Sequence, residues 1–170
     1  GFVYYNLEKD SVSKIDNSAS PCILFLLDGE VSIDSGEYQN VHIEKDKMVL
    51  IPQHVDNKIE VTYDAKCLLL FWNKDIRVCD KVYMNSLSSY KERKKEMCVL
   101  PIRDPLQAVL NSIVAYLYAK MQCKHMHLIK QQEVLLVLRG YYTKKELFTF
   151  FSSILGNTGH FEDFVMNNYR

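Results

Sequence analysis

The spacing of hydrophobic residues changes along this chain, from short apolar runs before residue 73 to three- and four-residue repeats after residue 104. Short runs about ten residues apart, with turn residues between them, are typical of a barrel or sandwich. Asp28-Gly29 and Asp64-Ala65 are predicted to be turns, the first because glycine accepts the positive φ angles of tight hairpins. Pro52 ends a strand because it has no N–H donor. The predicted strands are residues 22–27, 31–34, 40–43, 48–51, 59–63 and 66–72, whereas residues 1–20 fit an arm or an edge strand equally well.

The second part of the chain has the pattern of helices. Asp104-Pro105 is a predicted helix start, because aspartate caps free amides and proline suits the first helical position. Thr143-Lys-Lys-Glu146 is a capping box that opens a later helix. Four helices are predicted, at about residues 105–122, 128–139, 143–155 and 161–169, and the first has an apolar stripe at three- and four-residue spacing from Leu106 through Met121. A sheet followed by about four helices is an α+β arrangement.

Charge and cysteine content narrow the functional classes. The 170 residues carry 21 Lys plus Arg and 21 Asp plus Glu, so the net charge is zero and no basic stripe for DNA is present. No apolar run approaches the ~18 residues that a membrane helix needs, and we expect no membrane partner. The five cysteines are odd in number and form no C-x-x-C pair. This pattern favours reduced thiols in the cytoplasm.

Several segments carry a resemblance to a known family. In the strand region they are residues 22–29 (CILFLLDG) and 48–52 (MVLIP), whose pattern of strands and turns resembles a cupin half-motif. In the helical region they are residues 127–133, 135–142, 145–151 and 161–169. Together they resemble the N-terminal regulatory portion of AraC-type transcription regulators, over nearly the whole chain.

The resemblance implies a fold and a function. It implies a cupin-like β-barrel of the jelly-roll type at residues 1–100, and a helical dimerisation and linker region at 101–170, in one compact unit. The barrel would take up a small-molecule effector, such as a sugar or related metabolite, and the helices would form a homodimer. In that family two helix-turn-helix motifs follow a segment like 161–169. We therefore expect DNA binding only through a C-terminal domain absent from this chain, and no enzymatic activity.

A metal-dependent cupin enzyme is the alternative. Cupin enzymes hold a metal with histidines and a carboxylate on neighbouring strands. His42, Glu44 and His54 are the candidates, although the paired histidines of metal-binding cupins are missing. The run Cys123-Lys-His-Met-His127 is a second cluster of donors. Its i+2 member would face away on a helix, so we interpret the run as a polar helix junction, and we expect neither metal nor cofactor.

Two sets of residues are predicted to bind partners. Trp72, Tyr63 and His54 are the candidates for effector binding, because an aromatic face near a barrel mouth can stack on a sugar. The alternative for Trp72 is an ordinary core residue. The dimer is predicted on the small-residue face of the first helix, which carries Ala108, Ser112, Ala115 and Ala119. Small side chains let helices approach closely, although alanine also suits a solvated helix surface.

Overall fold

The structure is a computed structural model that describes residues 1–71 and 96–155. It divides into two compact units. The described residues of the sheet unit are 2–71 and 96–102, and those of the helical unit are 1 and 103–155. The predicted helix at 161–169 and the run of charged residues at 91–95 lie outside the described residues.

The described residues of the sheet unit form seven strands, which are β1 (Phe2–Leu7), β2 (Val12–Ser13), β3 (Cys22–Ser35), β4 (Tyr38–Glu44), β5 (Lys47–Ile51), β6 (Asn57–Phe71) and β7 (Leu100–Pro101). Every pair of neighbouring strands is antiparallel. The strand order is β1-β6-β3-β5-β7, with β2 beside β6 and β4 beside β3. Over the described residues the sheet is not closed, so a complete barrel is not confirmed, whereas the α+β class is.

The predictions of turns at Asp28-Gly29 and Asp64-Ala65 were wrong. Both dipeptides lie inside the two longest strands, which pair with each other, and the register shifts between Leu26 and Val31. Gly29 has φ +83°, and a Cβ at this position would lie 2.2 Å from the Asp64 carbonyl oxygen. A glycine with positive φ serves a β-bulge as well as a turn. The structure therefore has a bulge in the β3–β6 pair where turns were expected.

The strands β3, β5 and β6 bury side chains on both of their faces, and one face forms a continuous apolar cluster. Its members are nearly all aliphatic, and none is more than 8% exposed. Cys22, Leu24 and Leu26 alternate along β3, and Ala65, Cys67 and Leu69 alternate along β6, as expected for residues that share one face of a strand. The remaining members are Ile15, Val31, Ile33, Ile43, Val49, Ile51, Ile59 and Val61.

Two buried asparagines fix the loops at one end of the sheet. The Asn57 side chain accepts a hydrogen bond from the Ile15 N–H at 2.8 Å and donates to the Ile15 carbonyl at 2.9 Å. The Asn17 amide donates to the Pro52 and Val55 carbonyls, both at 2.7 Å. These bonds satisfy backbone groups that burial would otherwise leave unpaired.

The helical unit contains three helices among the described residues, and the predicted fourth helix at 161–169 lies outside them. The three helices are α1 (Asp104–Tyr118), α2 (Lys124–Tyr141) and α3 (Lys144–Leu155). The predicted apolar stripe of α1 is confirmed for Leu106, Val109, Leu110 and Ile113, which are all buried. No helix among the described residues is long and apolar enough to cross a bilayer.

Both ends of α1 differ from the prediction. Asp104 is the first helical residue, and Arg103 occupies the capping position without a side-chain capping bond. The helix ends at Tyr118, because Lys120 adopts φ +58° and its N–H bonds to the Leu117 carbonyl. The Met121 N–H bonds to the Tyr116 carbonyl. This is a Schellman motif, usually marked by glycine. Because lysine occupies the position where glycine is usual, the sequence does not indicate this helix end. Met121, which was predicted to belong to the apolar stripe of α1, is 52% exposed.

The capping box of α3 is confirmed and is part of a larger cluster. The Thr143 N–H donates to Glu146 Oε1 at 2.9 Å, and the Glu146 N–H donates to Thr143 Oγ1 at 3.1 Å. Arg103 donates to both carboxylate oxygens of Glu146, at 3.2 and 2.7 Å, and to the Tyr141 carbonyl at 2.7 Å. Its guanidinium lies 4.3 Å from the centroid of the Tyr142 ring. The Arg103 cluster, formed by these five residues, joins the start of α1 to the α2–α3 junction.

Candidate functional site

The apolar face of the sheet continues from its buried centre to a partly exposed margin on β1. Val3 pairs with Leu69, Tyr5 with Cys67, and Leu7 with Ala65. Directly opposite residues of an antiparallel pair have side chains on the same face. Val3 is 37% and Tyr5 46% exposed, whereas their partners are buried. We call Val3, Tyr5 and Leu7 the β1 margin.

The two thiols of this face, Cys22 and Cys67, are unreactive near neutral pH. Burial raises the pKa of Cys67 to about 12, and burial together with nearby Cys67 raises the pKa of Cys22 further. Reactive cysteines are thiolates near neutral pH, so both side chains act here as small apolar groups. Among the described cysteines all four are free thiols: these two are buried, Cys98 is half-buried and Cys123 is exposed.

Two of the three predicted effector residues, Tyr63 and His54, lie among the described residues, and they belong to different elements. Tyr63 lies on β6 opposite Glu30, and its ring is 56% exposed, with the Lys9 ammonium 5.8 Å from the ring centroid. His54 lies in the exposed loop between β5 and β6 with φ +62°, and its N–H donates to the Asn17 carbonyl. Trp72 lies outside the described residues.

The predicted metal candidates divide between two places. His42 and Glu44 are exposed, whereas Ile43 between them is buried in the core, so the two polar side chains lie on the outer face of β4. His42 Nε2 is 3.5 Å from Glu30 Oε2 and 3.9 Å from Glu44 Oε1. Among the described residues no group of three or more His, Cys, Asp or Glu side chains is arranged to hold a metal ion. The register of β3 against β4 places Glu30 opposite Glu44 and gives His42 two carboxylate neighbours, whereas His54 lies in a separate loop.

The Cys123–His127 run lies at the start of α2. Cys123 is the residue before the helix, and His125 is exposed in its first turn. His127 is half-buried, and this burial lowers the pKa of its imidazole. The placement at a helix start agrees with the predicted helix junction.

The small-residue face of α1 is only partly available. Ala108 and Ala115 are exposed, and Ala119 is exposed as the residue that ends the helix. Ser112 is half-buried, because Lys130 of α2 donates a 2.9 Å hydrogen bond to its hydroxyl. Lys130 also pairs with Glu133 at 2.7 Å. The face that was predicted to receive a second protomer therefore already has a neighbour from its own chain at one position.

Two features were not found from the sequence. The sequence of β1 has no clear alternation of apolar and polar residues, so nothing local assigned Val3 and Tyr5 to a face of the sheet. The Arg103 cluster joins residues 38 to 43 positions apart, and of its contacts only the capping box has a local signature.

Comparisons with known proteins identify similarity of structure only. No protein-family model matches the sequence, and no curated protein matches it. A cupin-2 domain protein from Shewanella frigidimarina is 17% identical with a TM-score of 0.35, over 40% of this chain and 65% of that one. An RmlC-like cupin with a double-stranded β-helix fold from Methanocaldococcus jannaschii is 14% identical with a TM-score of 0.37, over 40% of this chain and 64% of that one.

An enzyme is among the similar structures. An oxalate decarboxylase variant from Bacillus subtilis is 12% identical with a TM-score of 0.37, over 41% of this chain and 20% of its own. The chain thus spans less than two thirds of each of these three proteins. At such identities and scores, the similarities carry no argument about what this chain does.

Proposed function

We propose that this chain is the ligand-sensing and dimerisation part of an AraC-type transcription regulator. The sheet unit binds a small effector, and the helical unit pairs two protomers and passes the ligand state to a DNA-binding domain. The chain acts in the cytoplasm, has no catalytic role and needs no cofactor.

One observation carries the proposal. The segments 127–133, 135–142 and 145–151, on which the family resemblance mainly rests, occupy two consecutive helices that follow a seven-stranded antiparallel sheet. The Arg103 cluster fixes the junction between these helices through Glu146, which lies inside the last of the three segments. The resemblance therefore covers a defined junction between two helices in addition to the strand pattern.

Light scattering tests the dimer. We expect a mass near twice 19.9 kDa at tens of micromolar protein, roughly the range in which a weak dimer still forms. Ala115→Glu should dissociate it, because a charge buried between two helices without a partner is costly. Gln132→Glu adds the same charge at an exposed position of α2 and should leave the dimer intact. A monomeric wild type would refute dimerisation, and dissociation by Gln132→Glu alone would move the interface to α2.

Thermal-shift screening against sugars and aromatic metabolites tests sensing, because a ligand that binds only the folded state raises the melting temperature. A rise that saturates with concentration supports the proposal. The metal-dependent enzyme has one observation in its favour, the two carboxylates beside His42, and elemental analysis tests it directly.

A further inference from the structure

We draw no further inference here: the strongest candidate, the outward face of α2 on which Ile129 is 61% and Leu136 is 53% exposed, carries none, because nothing in the described part of the chain shows what covers this face.

Discussion

Two substitutions of Glu146 should destabilise the helical unit by different amounts, and the difference separates the ion pair with Arg103 from the helix cap. Glu146→Gln keeps a side-chain acceptor for the Thr143 N–H, since glutamine also serves in a capping box, but it weakens the Arg103 pair. Glu146→Ala removes both interactions. The difference between the two variants therefore reports the cap, and the Gln variant reports the charge.

The magnitude follows from geometry and exposure. Arg103 reaches both carboxylate oxygens, but the side chains are 36% and 25% exposed. Exposed ion pairs contribute about 0.2 to 1 kcal/mol to the free energy of unfolding. The bidentate geometry places this pair near the upper end of that range. We expect Glu146→Gln to cost about 1 kcal/mol. Loss of the cap adds about 1 kcal/mol in Glu146→Ala. In a chain of this size each kcal/mol corresponds to a melting shift of about 2 to 4 °C.

The assay is urea unfolding followed by circular dichroism at 222 nm, in a double-mutant cycle with Arg103→Met. This substitution keeps an aliphatic stem but removes the guanidinium. A coupling energy of about 1 kcal/mol between the two positions is expected for a direct interaction. Coupling below about 0.3 kcal/mol, within the usual error of additivity, would refute the role given to the pair.

The pH dependence has a definite sign. Hydrogen bonds from Arg103 are the main cause that lowers the pKa of Glu146 below its ordinary 4.5. A carboxylate with a lowered folded-state pKa stabilises the protein above its unfolded-state pKa, and this stabilisation is lost as the pH falls through the folded-state pKa. The difference between wild type and Glu146→Gln should be constant from about pH 7 to 5 and shrink below about pH 4. A difference that persists unchanged to about pH 2 would contradict this reasoning.

Three further predictions concern the bulge, the metal and DNA. Gly29→Ala should cost more than about 2 kcal/mol in urea unfolding, because a Cβ would lie 2.2 Å from the Asp64 carbonyl oxygen at φ +83°. Gly140→Ala, whose Cβ would meet nothing within 4 Å, should instead stabilise by about 0.5 to 1 kcal/mol; equal effects would show that the bulge is not restrictive. Elemental analysis should find no stoichiometric zinc, iron or manganese, and about one metal per chain, lost in His42→Ala or His54→Ala, would favour the enzyme. Gel shifts at submicromolar protein should show no sequence-specific binding to duplex DNA, since the net charge is zero, and a salt-sensitive specific shift would contradict this.

Interactions between near neighbours were predictable from the sequence. Thr143 and Glu146 lie three residues apart, so their capping box can be recognised within four consecutive residues, and it is present as predicted. The buried stripe of α1 follows in the same way from helical periodicity, with Leu106, Leu110 and Ile113 fully buried. These features depend on local geometry, which neighbouring residues largely determine.

Features that join distant parts of the chain were decided only by tertiary structure. The alternation around Ile43 indicated that His42 and Glu44 share a face, but the register that brings Glu30 close to His42 depends on how β4 pairs with β3. Whether Gly29 forms a turn or a bulge depends on a partner strand some 35 residues away, because its positive φ suits both. Arg103 likewise finds Glu146 across 43 residues. Such contacts form only when the fold closes the loop between them, and loop closure carries no local sequence signature.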